Sequence, residues 1–169
     1  MKIIDITKWN RREHYEFFSK FDEPYYGRTA EVDCTAAYKK SKETGIPFFI
    51  YYLHKSNCSI NGIENLKLRI VDGQVVLYDV VHASSTIGRE DSTFAYSFIM
   101  HDDDINVFYK NAKKEIEAVK NSTGLRLNDE AKRFDTVHIR PCPGLNSLPL
   151  RARGISNETT AYRKSVSAK

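Results

Sequence analysis

The sequence predicts an α/β chain in which helices pack on a mainly antiparallel sheet, and three observations lead there. Four β-rich runs follow one another between residues 66 and 100 with no helix between them, the first two around Asp72-Gly73, a strong hairpin signal. A long stretch after them opens on three acids and carries its apolar residues on one stripe. Hydrophobic residues make up 41% of the 169, with nine Phe and ten Tyr, enough to build a packed core at a length expected for one domain.

Taken in order, a short apolar start is followed by His14, Phe17, Phe18 and Phe21 at helical spacing, with Thr7 as the expected cap before Trp9. Pro24 and Gly27 break that helix, and residues 28–34 alternate as a strand does. Thr35 is the expected cap of a short helix ending at Gly45. From Pro47 an apolar run through residue 60 is too long for a strand and predicts a buried helix, its proline at a first-turn position where a missing N–H costs nothing. The four strands follow, over residues 66–80 as a hairpin, then 82–90 and 92–100. Asp102, Asp103 and Asp104 then open a helix striped by Ile105, Phe108, Tyr109, Ala112, Ile116 and Val119, with its end expected at Gly124. Residues 134–139 read as one further strand.

At residue 140 the composition changes. Residues 140–169 hold three of the five prolines, no periodicity, and six basic residues against one acid, which leaves 20 basic and 21 acidic residues before it. The formal +4 of the chain therefore belongs to this tail, expected to be disordered, and residues 1–139 form the domain part. With Tyr162 as its one aromatic, the tail lacks the interleaved stacking residues of a nucleic-acid arm, and no nucleic-acid partner is expected. No apolar run reaches the length of a membrane span, and the start lacks the apolar stretch of a signal peptide, so a cytoplasmic protein without membrane contact is expected. Cys34, Cys58 and Cys142 are odd in number and widely spaced, which predicts reduced thiols.

Motif-defined chemistry is sparse. His14, His54, His82, His101 and His138 are scattered, no two of them at the i, i+4 spacing of a metal-binding helix face, and no metal is expected. No nucleophile elbow and no phosphate loop occur. No serine or aspartate stands at a spacing from His138 that predicts a catalytic pair.

Several segments in order, "DITKWNRREHYEFF", "VDCTAAYKK", "GIPFFIYYLHKSNCSINGIENLKLRI", "VDGQVVLYDVVHASSTIGREDSTFAYSF" and the acid-capped helix, resemble the chloramphenicol acetyltransferase family over residues 1 to 139. The resemblance implies a two-layer α+β sandwich of the coenzyme A-dependent acyltransferase superfamily. It also implies a cytoplasmic homotrimer with sites between subunits, acetyl-CoA as co-substrate, no metal, and acetyl transfer to a hydroxyl of chloramphenicol, which confers antibiotic resistance. In that chemistry a neutral histidine is the general base and a serine hydroxyl helps hold the oxyanion. Carried over position by position, Arg11 matches an arginine that supports the site by pairing with an aspartate beside the catalytic histidine. Phe17, Phe18, Tyr25, Thr86 and Phe94 match or adjoin positions lining the chloramphenicol pocket. Without the resemblance, Arg11 reads as a solvated helix charge and the others as core or turn residues.

Two family features are missing. The H-H-A-x-x-D-G segment with the catalytic histidine has no counterpart, so no catalytic residue is assigned, and Arg140 stands where the oxyanion serine of a "SALPW"-like run is expected. Loss of one base explains both. The codons AGC GCC CTG CCC TGG GTT, deprived of one base of the serine codon, read AGG CCC TGC CCT GGG TT, which gives the Arg-Pro-Cys-Pro-Gly of residues 140–144 and then a leucine. The expectation is a frameshifted, C-terminally truncated chain, inactive alone, whose repaired frame encodes the histidine segment. Two other readings stay open: a non-catalytic ligand-binding or oligomer-interacting fragment, and an acyltransferase relative with another acceptor such as a lipoyl thiol.

Overall fold

A computed structural model describes residues 1–24, 27, 30 and 32–140. Residue 25, Cys142 and the tail beyond Arg140 lie outside the described residues, as does most of the strand expected over 28–34; Val32, Asp33 and Cys34 carry no strand. The elements are β1 (Lys2–Ile3), α1 (Arg12–Phe18), α2 (Thr35–Thr44), α3 (Phe48–Asn61), β2 (Leu68–Val71), β3 (Gln74–Leu77), β4 (His82–Gly88), β5 (Phe94–Ile99), α4 (Ile105–Lys120) and β6 (Thr136–His138). This is the expected mixed α/β architecture with mainly antiparallel pairing.

Helix starts differ from the sequence reading, because acidic side chains take backbone N–H groups that the reading gave to threonines. Asp5 accepts the Thr7 N–H at 3.0 Å and its hydroxyl at 2.6 Å. That folds Ile6–Lys8 into a 3₁₀ turn, and α1 begins later, at Arg12. Asp33 likewise accepts the Thr35 N–H at 2.8 Å, which makes Thr35 the first helical residue of α2; the helix stops, as expected, on Gly45 at φ +68°. The three acids before α4 have separate tasks. Asp104 caps the helix by accepting the Asn106 N–H at 2.8 Å, Asp102 accepts the Asp104 N–H at 2.8 Å, and Asp103 faces His101 at 3.4 Å. Helix α4 ends at Lys120, before the expected Gly124, which sits at φ +66° in the following loop.

The strands form two sheets rather than the single series expected. Strands β1, β3 and β2 make one antiparallel sheet, with Asp72 and Gly73 both at positive φ in the predicted two-residue turn. Strands β5, β4 and β6 make the other, β4 antiparallel to β5 and parallel to β6. The separation has a cause at Val81. Asn61 Oδ1 accepts its N–H at 2.8 Å, and its carbonyl accepts from Asn57 Nδ2 at 3.0 Å and Asn61 Nδ2 at 2.8 Å. Two α3 asparagines thus hold the backbone that would otherwise continue pairing after β3, and β4 starts in a different sheet.

The core lies between the second sheet and helices α3 and α4. Ile50 and Leu53 from α3, Phe108 and Ala112 from α4, Ala83 from β4 and Ile99 from β5 meet there, joined by Ile46. A second cluster of Ile87, Ala95 and Val119 is linked to it by Phe49 and Ile116. Small residues on the inner sheet face allow the helices close approach. Ser85 and Ser97 lie opposite each other there, with the Ser97 hydroxyl donating to the Ser85 carbonyl at 2.9 Å.

Candidate functional site

Period-two alternation sends the other half of β4, β5 and β6 to the opposite face of that sheet. His82, Ser84 and Thr86 come from β4, Phe94, Tyr96 and Phe98 from β5, and Thr136 and His138 from β6, all half-buried or exposed. Aromatic contacts run across it: Phe94 to Tyr96 at 6.3 Å, Tyr96 to His138 at 5.8 Å, His82 to Phe98 at 5.2 Å, and the Arg133 guanidinium 5.1 Å over Phe98. Two of the pocket residues carried over by resemblance, Thr86 and Phe94, share this face, Thr86 directly opposite Tyr96.

The other described candidates, Arg11, Phe17 and Phe18, sit on or beside α1. Phe17 and Phe18 are 61% and 50% exposed and form a ring cluster with Phe21, at 5.2, 5.1 and 5.4 Å between centroids. Three adjacent exposed phenylalanines are an apolar patch of the sort that meets a ligand or another chain. Arg11 is exposed. Among the described residues no hydrogen bond, ion pair or ring contact joins Arg11, Phe17 or Phe18 to the face carrying Thr86 and Phe94; α1 instead reaches the hairpin tip through Tyr15 Oη and the Gly73 carbonyl at 3.3 Å.

The structure also supplies a pair that spacing along the chain did not predict. Parallel pairing puts Ser84 beside His138, with Oγ 3.3 Å from Nδ1. Fifty-four residues separate them, and only the β4–β6 register brings them together. Arg140 Nε lies 3.3 Å from His138 Nε2. A guanidinium can only donate, so Nε2 accepts, the neutral ring carries its proton on Nδ1, and Nδ1–H donates to Ser84 Oγ. Burial, with the Arg140 charge adding to it, holds the His138 pKa below its ordinary value.

Where α3 and the loop after β5 meet the start of β4, three more of the scattered histidines are drawn together. His54, fully buried on α3, donates Nε2–H to the Asp102 carbonyl at 3.0 Å, with Cys58 Sγ 3.4 Å from the same nitrogen and the Phe108 ring 5.1 Å away. The His101 N–H donates to His82 Nδ1 at 3.0 Å, and His101 Nδ1–H donates to Asn57 Oδ1 at 2.7 Å. His82 Nε2 lies 4.0 Å from Asp135. Burial pushes the Cys58 thiol up, away from a reactive thiolate, and Cys34 and Cys58 are free thiols. Among the described residues no group of His, Cys, Asp or Glu is arranged to hold a metal ion.

Burial pushes His54 and His82 below their ordinary pKa. A base depressed in the folded state binds fewer protons there than in the unfolded chain, so its stabilising contribution is complete above about pH 6.5 and falls as pH drops through the folded pKa. Urea midpoints are therefore expected to be flat from pH 8 to 7 and to decline between about pH 6.5 and 5, above the range where carboxylates titrate. A midpoint constant down to pH 5 would count against neutral, buried histidines.

No described helix is long and apolar enough to cross a membrane. A family model described as chloramphenicol acetyltransferase matches residues 1–147. The chloramphenicol acetyltransferase of Proteus mirabilis is 24% identical over 156 residues, covering 92% of this chain and 72% of that protein. A chloramphenicol acetyltransferase from a Klebsiella species is 29% identical over 106 residues, covering 62% of this chain and 48% of its own length. A solved structure of a chloramphenicol acetyltransferase superposes with a TM-score of 0.75 at 32% identity, over 82% of this chain and 68% of that one. The match over residues 1–147 takes in the helices and both sheets described above, and by it the chain belongs to the chloramphenicol acetyltransferase family.

Proposed function

We propose that this chain is the acceptor-binding part of an O-acetyltransferase that moves acetyl from acetyl-CoA to a hydroxyl of chloramphenicol. The family match over residues 1–147 carries the reading. The outer sheet face supports it, because Thr86 beside Phe94 and Tyr96 offers a polar group among aromatic walls, the composition that buries a nitrophenyl ring while orienting its hydroxyls. Phe17 and Phe18 complete that wall when α1 of one protomer meets the sheet face of a neighbour in a cytoplasmic homotrimer, and Tyr25 is carried over with them by resemblance alone. Arg11 is the supporting charge in that arrangement.

The sequence has no adjacent pair of histidines and no counterpart of the family's catalytic segment. An ordinary turnover, about 1–10³ s⁻¹, also needs coenzyme A contacts and oxyanion donors. The expected result is saturable chloramphenicol binding in calorimetry, with coenzyme A release from acetyl-CoA and chloramphenicol at the rate of a blank. Release at an ordinary enzyme rate would overturn the reading of an inactive chain, and absence of chloramphenicol binding would overturn its acceptor.

A further inference from the structure

We infer that His138 is a general base for a hydroxyl or water bound on the outer face of β5, β4 and β6, and that Ser84 is its positioning residue. The inference deepens the acyl-transfer reading above and rests on it for the substrate class, an activated acyl ester. Three features of the geometry carry it.

The first is the tautomer. Nδ1–H is held by Ser84 Oγ at 3.3 Å, which leaves Nε2 as the accepting nitrogen. In this structure its lone pair accepts from an N–H of Arg140 at 3.3 Å, and a substrate hydroxyl or water makes the same donation by taking the place of that N–H. The second is rigidity. Both residues sit on paired strands, with Ser84 and His138 directly in register, and the Tyr96 ring lies 5.8 Å from the imidazole. A base fixed by a partner on its other nitrogen is the arrangement that general-base catalysis uses. The third is the charge around the ring. From β4 it meets the Ser84 hydroxyl, from β5 the Tyr96 ring and, beyond the end of its own strand, the Arg140 guanidinium. All three leave the ring neutral near pH 7, and none of them is a carboxylate that would hold it protonated.

With an activated ester the step balances as follows. Water gives one proton to His138 Nε2 while its oxygen bonds to the acyl carbon; the bond from that carbon to the leaving oxygen breaks, and nitrophenolate departs. The imidazolium then returns its proton to solvent, and the acetic acid formed ionises. A positioned base contributes about 10²–10⁴-fold in such a step, well short of the acceleration of a whole acetyltransferase.

The test uses the full chain and p-nitrophenyl acetate. Hydrolysis due to the chain should fall at least about tenfold in His138→Gln, slow in D₂O as proton transfer requires, and follow a deprotonation below the ordinary histidine pKa. Ser84→Ala should lower the rate and move that apparent pKa, and Ser84→Thr should restore both. Nitrogen chemical shifts of the unmodified chain provide a readout independent of folding in the variants, with His138 expected protonated at Nδ1 and bare at Nε2. Unchanged hydrolysis in His138→Gln, no slowing in D₂O, or a proton on Nε2 would each overturn the inference. Failure here with chloramphenicol binding intact removes the base and leaves the acceptor reading standing; loss of chloramphenicol binding with His138-dependent hydrolysis intact does the reverse.

Discussion

Phe108→Ala is expected to destabilise the chain by about 3–5 kcal/mol, the range for losing a fully buried aromatic ring. Phe108 is fully buried, sits in the main core cluster with Leu53, Ile99 and Ala112, and lies 5.1 Å from the His54 ring. Truncation removes apolar contact and leaves a cavity that the paired strands and two helices around it cannot collapse to fill. It also strips one wall from His54, whose Nδ1 is buried without a hydrogen-bond partner among the described residues, so water entering the cavity would reach a polar atom and ease protonation of the ring. Thermal unfolding should therefore show a fall in Tm on the order of 10 °C. The acid sensitivity of the urea midpoint should weaken as His54 becomes hydrated. A loss below about 1 kcal/mol would mean that α4 is not packed on the sheet as described.

Arg89→Met should cost about 3 kcal/mol, because the guanidinium joins three parts of the chain by charge-assisted hydrogen bonds. It donates to the Val119 carbonyl at 2.9 Å, to the Ser122 hydroxyl at 2.9 Å and the Gly124 carbonyl at 2.8 Å, and back across its own turn to Thr93 Oγ1 at 3.1 Å. The carbonyl of Val119, a fully buried residue, closes α4, so without Arg89 the helix end and the β4–β5 turn lose their shared anchor. Methionine keeps the stem and deletes the donors, while Arg89→Lys keeps the charge but cannot span the same fork. The order expected in urea unfolding is arginine, then lysine, then methionine, and equal midpoints for all three would refute the anchoring role.

Elements governed by neighbours in sequence were legible along the chain. Helix α3 followed from the length of its apolar run, the end of α2 from Gly45, the hairpin from Asp72-Gly73, and the striped face of α4 from its periodicity. Helix starts were less legible, since Asp5, Asp33 and Asp104 compete with nearby threonines and acids for the same N–H groups, and the winner depends on backbone geometry. Thr86 and Phe94 were singled out through family resemblance as expected lining residues, and their shared face follows from period-two alternation in adjacent strands.

The pairing of Ser84 with His138 was not legible, and neither was the gathering of His54, His82 and His101, because no rule of spacing relates residues on separate strands and helices. The first depends on β6 lying parallel to β4, and the second on α3 packing against the start of β4 and the loop after β5. Propensity, capping and alternation act over a few residues and can be read from composition in order. Register between distant strands is set by which buried backbone groups find partners, a condition of the whole packed chain. Helices, strands and family were therefore present in the linear text, while the chemistry offered by His138 came from a long-range strand pairing that the text does not spell out.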